Sequence, residues 1–130
     1  MSIGRVLLVE DNQDNFELVQ FLLECAGYEV LGARTGRECL EIVKRDPPDL
    51  VLMDLSLPEM DGWTAARHLK ADPKTACIPL VAITAHTLPG DRKRALDSGF
   101  NAYLSKPVNI QSFPQAIADA INKKPAPKEG

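Results

Sequence analysis

Five short apolar runs alternate along this chain with five segments of helical periodicity, and that alternation leaves little choice of architecture. Val6-Leu7-Leu8-Val9 is apolar without a break, the pattern of a central parallel strand covered on both faces. Val19, Leu22, Leu23 and Ala26 follow at i, i+3, i+4 and i+7, a helical stripe stopped by Gly27. Tyr28 to Ala33 is a weaker run, suited to an edge strand. Gly36 to Arg45 predicts a helix that buries Leu40 and Val43, ended by Pro47-Pro48. Leu50 to Asp54 reads as the third strand, and Gly62 to Lys70 as a helix burying Trp63, Ala66 and Leu69. Ile78 to Thr84 predicts the fourth strand, Leu88 to Ser98 a helix closed by Gly99, and Ala102 to Ser105 a short fifth strand. The last helix carries Ile110, Phe113, Ile117 and Ile121 on one face, with Pro114 tolerated in its first turn.

Strict strand–helix alternation means a parallel sheet with right-handed crossovers and helices on both faces. The expected class is therefore α/β, a flavodoxin-like doubly wound sheet of five strands in the order 2-1-3-4-5 with five helices. In such folds ligands bind beyond the carboxyl ends of the central strands. With 130 residues, 45% of them hydrophobic, the chain suits one domain with one sizeable core, expected over residues 1–123. The polar, proline-containing end, residues 124–130, is expected to be a disordered tail.

Composition excludes several classes of function. A net charge of −3 gives no reason to expect nucleic acid or an anionic membrane as partner. The apolar runs are far too short to cross a bilayer, and the N-terminus reaches acidic residues too soon for a signal peptide. Cys25, Cys39 and Cys77 are odd in number, widely spaced and without clustered histidines. They are expected to be buried or half-buried free thiols, which suits a reducing cytoplasm.

Within VLMDLSLPEMDG, residues 51 to 62, Asp54 ends a run that reads as a buried strand. A buried carboxylate needs a partner or a chemical task. Strand one ends in Glu10-Asp11, strand four in Thr84, and strand five before Lys106-Pro107. Each has an ordinary structural reading as a helix cap, a strand filler or a solvated loop lysine. In the expected strand order they converge on one edge. Crowded carboxylates call for a hard divalent cation, Mg2+ or Mn2+, with Asp11 and Asp54 as direct ligands and Glu10 acting through water. The backbone carbonyl of Ser56 is a further candidate ligand. With the metal in place Asp54 can attack phosphorus to give an aspartyl-phosphate, while Lys106 and Thr84 neutralise or hydrogen-bond the phosphoryl oxygens.

The motifs VEDN (9–12), LMDLSLPEMDG (52–62), AITAH (82–86) and YLSKP (103–107) together resemble the response-regulator receiver domain of two-component signalling. The resemblance runs from about Arg5 to Lys123. It implies that Asp54 is the phosphorylated aspartate and that Glu10 and Asp11 are the acidic metal pair. It also implies Thr84 as switch threonine, Tyr103 as switch aromatic, and Lys106 as the family's lysine with a cis bond to Pro107. EDNQDN, TAH and GDRKRALDSGFNAYLSKP are most similar to receivers of hybrid histidine kinases and to single-domain cell-cycle regulators. A histidine kinase or phosphotransfer protein is then the expected donor. A protein target is expected on the face of helix four, strand five and helix five. The chain would catalyse only its own phosphorylation and dephosphorylation.

Other readings fit less well. A flavin-binding relative would carry a Ser/Thr/Gly phosphate loop where this chain has Glu10-Asp11-Asn12. An aspartyl phosphatase would have a second acid at position 56, here Ser56. A module independent of phosphorylation would have no chemical need for the full acceptor set. His86 reads as a partner-facing or solvent-facing residue rather than a phosphohistidine. Tyr103 has an ordinary reading too, as a strand residue snorkelling its hydroxyl to water.

Overall fold

The computed structural model describes residues 3–57, 60–85, 89–106 and 108–122. Its elements are β1 (Arg5–Val9), α1 (Gln13–Cys25), β2 (Glu29–Ala33), α2 (Gly36–Arg45) and β3 (Leu50–Asp54), followed by α3 (Gly62–Ala71), β4 (Leu80–Thr84), α4 (Asp91–Asp97), β5 (Ala102–Ser105) and α5 (Phe113–Asn122). All four strand pairings are parallel, in the order β2-β1-β3-β4-β5. The expected class and strand order are those observed.

Side chains of the central strands alternate between two cores. Leu7, Val9, Val51, Met53, Leu80 and Ala82 face α2, α3 and α4, where they meet Cys39, Val43, Ala66 and Ala95. Val6, Leu8, Leu50, Leu52, Val81 and Ile83 face α1 and α5, against Val19, Leu23, Phe113 and Ile117. That two-sided burial explains why β1, β3 and β4 read as unbroken apolar runs.

The helices start where side-chain oxygens can take their first free N–H groups. Asn12 accepts from the Asn15 N–H at 3.0 Å, Thr35 from Glu38 at 3.1 Å and Asp61 from Thr64 at 2.8 Å. No helix among the described residues is long and apolar enough to cross a membrane.

Several expectations need correction. The fourth helix runs Asp91–Asp97, not from Leu88, because Gly90 before it is left-handed at φ 87° and has no side-chain cap. Leu88 itself lies outside the described residues. Strand four begins at Leu80, after Pro79, which cannot donate to the ladder. Ile110 is 63% exposed and precedes α5, so the apolar stripe of that helix starts at Phe113. Ala26, Leu40 and Trp63 are only half-buried, and Cys39 and Ala65 take the fully buried places instead. Cys25 is exposed, Cys39 buried and Cys77 intermediate. The tail at 124–130 lies outside the described residues.

Candidate functional site

Two adjacent strand ends bring the three acidic residues together. Val9 of β1 pairs with Met53 of β3, so Glu10, Asp11 and Asp54 emerge at the same edge of adjacent strands. One carboxylate oxygen from each lies within 4.8 Å of the others. Glu10 and Asp54 are buried, at 1% and 4% exposure, while Asp11 opens to solvent.

Lys106 reaches this cluster from the end of β5. Its backbone N–H donates to the Thr84 carbonyl at 2.8 Å, which sets the start of the loop. Its ammonium then donates to Glu10 Oε1 at 2.6 Å and Asp54 Oδ2 at 3.0 Å. The other oxygens are held by backbone: Asn12 N–H donates to Glu10 Oε2 at 3.2 Å and Ser56 N–H to Asp54 Oδ1 at 2.8 Å. Asp54 is thus held on both oxygens, by the Lys106 ammonium and the Ser56 N–H.

Electrostatics follow from that packing. Burial raises the Glu10 pKa above the ordinary glutamate value; Lys106 pulls it back, and the neighbouring Asp54 adds to the rise. Burial alone would lower the Lys106 pKa. The hydrogen bonds and charges of Glu10 and Asp54 outweigh it, and the ammonium is held above the usual lysine value. Three carboxylates against one ammonium leave two formal negative charges at one sheet edge. An all-oxygen set with that excess fits a hard divalent ion such as Mg2+ or Mn2+ rather than a soft metal.

The remaining expected residues fall around this centre. Thr84 is buried at 2% exposure at the end of β4, paired with Ser105 of β5, and Asp54 pairs with Ile83. Ser56 is exposed, directly beyond Asp54. Tyr103 is buried in the core between β4 and α4, and its hydroxyl has no hydrogen-bond partner. That overturns the snorkelling reading: the ring already points inward. Pro58, His86 and Pro107 lie outside the described residues.

Sequence reasoning missed Asn12, whose side chain caps α1 while its N–H orients Glu10. The signal was present, since asparagine before an apolar-periodic segment is a capping residue. Gly62 stands where the third helix is expected to begin, at the end of the turn after Asp54. A Cβ there would lie 2.7 Å from the Asp54 carbonyl oxygen and 2.8 Å from Leu55 Cα, so α3 begins pressed against the backbone of the acidic strand end.

Known proteins resemble this chain in sequence and fold. The family model described as response regulator receiver domain matches residues 6–118. A polar-differentiation response regulator, DivK, of Brucella ovis is 40% identical over 112 residues, covering 86% of this chain and 91% of that protein. Among solved structures, the receiver domain of a sensor histidine kinase from Pseudomonas aeruginosa superposes with a TM-score of 0.84 at 34% identity, over 92% of this chain and 98% of that one. That structure holds a magnesium ion coordinated in its active-site cleft. The chemotaxis response regulator CheY4 of Vibrio cholerae gives a TM-score of 0.83 at 25% identity, over 92% and 99% of the two chains.

Proposed function

This chain belongs to the response regulator receiver domain family of two-component signalling, and from that premise we propose that Asp54 is its phosphoacceptor. The observation that carries the reading is the grip on Asp54: Lys106 on one carboxylate oxygen, the Ser56 N–H on the other, and two more acids beside it.

The transfer is a displacement at phosphorus. An oxygen of the Asp54 carboxylate forms the new P–O bond while the bond from phosphorus to the donor's imidazole nitrogen breaks. The nitrogen leaves with the bonding pair and is protonated. Lys106 shifts its ammonium from the carboxylate to a phosphoryl oxygen, so it stabilises charge where the transition state develops it. Thr84, at the neighbouring strand end, offers a hydroxyl to another oxygen. Glu10, Asp11, Asp54 and the Ser56 carbonyl would hold a Mg2+ or Mn2+ ion, which when bound offsets carboxylate repulsion and neutralises the incoming phosphoryl group. Burial keeps the rest of the site dry and its dipoles fixed.

Members of this family exchange phosphoryl groups with histidine kinases or phosphotransfer proteins. For this chain we assign the output to a protein target docking on α4, β5 and α5, with no direct nucleic-acid contact, and a cytoplasmic setting. Tyr103 acts as the switch aromatic, with phosphorylation shifting its population toward the inward ring. The cis bond at Pro107 is carried over as part of the same reading.

Acetyl phosphate with Mg2+ is expected to add one labile phosphoryl group, seen by intact mass spectrometry. EDTA and Asp54→Asn should each abolish it. Undiminished labelling of the Asn variant would move the acceptor elsewhere.

A further inference from the structure

The carboxyl ends of β1 and β2 lie side by side: Val9 pairs with Ala33, and the Glu10 N–H donates to the Ala33 carbonyl at 3.0 Å. Arg34 is the next residue, so it borders the acidic site on the α1 side. Its guanidinium lies 5.0 Å from the centroid of the Phe16 ring, and Nη2 donates to Gln13 Oε1. The Gln13 amide is itself oriented, because its Nε2 donates to Glu17 Oε1 at 2.8 Å. Behind the ring stands Gly32, where a Cβ would come within 2.6 Å of Phe16 Cζ. A side chain at position 32 would push the ring off β2 and the arginine with it. The backbone is fastened as well: Arg34 N–H donates to Glu38 Oε1 at 3.4 Å, and Thr35 Oγ1 accepts from the Glu38 N–H at 3.1 Å.

Residues from three elements thus immobilise one exposed arginine, yet the acids within reach serve other donors. Glu17 accepts from Gln13, and Glu38 accepts from backbone. Among the described residues Arg34 makes no ion pair. Ordering a long cationic side chain costs rotamer entropy, and an exposed contact with an amide and a ring returns little of it. A fixed guanidinium with donors still to offer matches a carboxylate in bidentate geometry.

Position decides which ligand it can serve. With β1 between them, β2 and β3 are two strand spacings apart, roughly 10 Å, and the Arg34 side chain is directed onto α1. It is out of reach of a phosphoryl group on Asp54, but it lies beneath any protein that delivers one. We propose that Arg34 is a specificity-determining contact for the protein phosphodonor, binding a carboxylate side chain that flanks the donor's phosphohistidine. This rests on the reading of Asp54 as acceptor.

The test compares two donors on the full chain. One is whichever phosphorylated kinase or phosphotransfer domain labels the wild type fastest; the other is acetyl phosphate. Arg34→Ala should lower kcat/KM for the protein donor about tenfold at low salt, with the gap narrowing as salt is added. Labelling by acetyl phosphate and the melting temperature should stay unchanged. Arg34→Lys, which keeps the charge without the fork, should recover part of the loss. An equal loss with both donors would overturn the proposal, as would full activity of Arg34→Ala with the protein donor. Failure of acetyl phosphate to label the wild type would count instead against Asp54 as acceptor.

Discussion

Asp54 is buried, yet neither of its oxygens is left without a donor. A buried carboxylate is costly without hydrogen-bond donors, and Lys106 and the Ser56 N–H supply them. On the proposed reading the same donors pass to phosphoryl oxygens without rebuilding the site. Cys39 shows the contrasting case, a buried titratable group whose thiol has no such partner among the described residues. Burial in the α2–α3 core pushes its thiol pKa up to about 12 from 9.0. A raised pKa means that the associated stability is complete below the free thiol's pKa and is lost as pH rises toward the folded value. Between about pH 8 and pH 10.5 the wild type should therefore lose about 2 kcal/mol more than Cys39→Ala. Chemical denaturation at both pH values measures this, and equal losses would show that the thiol ionises freely in the fold. The exposed Cys25 should react with a thiol reagent at pH 8 while Cys39 stays protected.

Among the elements, α4 is the one most suited to move. It has seven residues, a left-handed glycine in place of a side-chain cap, and Ala95 as its one fully buried side chain. Short, weakly capped helices draw their stability from tertiary contacts. Here these include Arg94, whose guanidinium lies 4.1 Å from the Trp63 centroid, with Trp63 edge-on to Phe100 at 6.0 Å. Trp63 stands in the first turn of α3, next to the Gly62 that presses on Asp54, so the acidic strand end and α4 share a contiguous path. On the proposed reading Thr84 turns toward the phosphoryl group and the space it leaves favours the inward Tyr103 ring, repacking α4 between two states. A coupling of roughly 1–3 kcal/mol would change partner affinity about 5- to 150-fold. Thr84→Ala should still bind beryllofluoride at Asp54 while losing most of the NMR shift changes on α4 and at Tyr103. The full wild-type pattern in that variant would leave Thr84 as a strand filler.

For the whole molecule, the order 2-1-3-4-5 does the assembling: it puts the ends of β1, β3, β4 and β5 side by side, so residues 96 positions apart in sequence, Glu10 and Lys106, become an ion pair. That much was legible in the sequence, because periodicity reports burial on each strand face and strand ends follow from it. The convergence of Glu10, Asp11, Asp54, Thr84 and Lys106 needed no side-chain geometry to foresee. What escaped was set by contacts that periodicity does not encode. The late start of α4 depends on the left-handed turn at Gly90, and the exposure of Ile110 on where the loop before α5 ends. The stack of Arg34, Phe16 and Gly32 joins three residues that look unremarkable on their own. Tyr103 could not be oriented from its place in β5, since both a buried and a snorkelling ring suit a strand. The central claim, that this fold exists to put a phosphoryl group on Asp54, is tested most directly by borohydride reduction of the chain after treatment with acetyl phosphate and Mg2+. Hydride converts an aspartyl-phosphate to homoserine, which peptide mapping locates. Homoserine at position 54, absent without Mg2+, is the predicted result. Homoserine at another aspartate, or its absence from a chain that intact mass shows to be phosphorylated, would contradict the account.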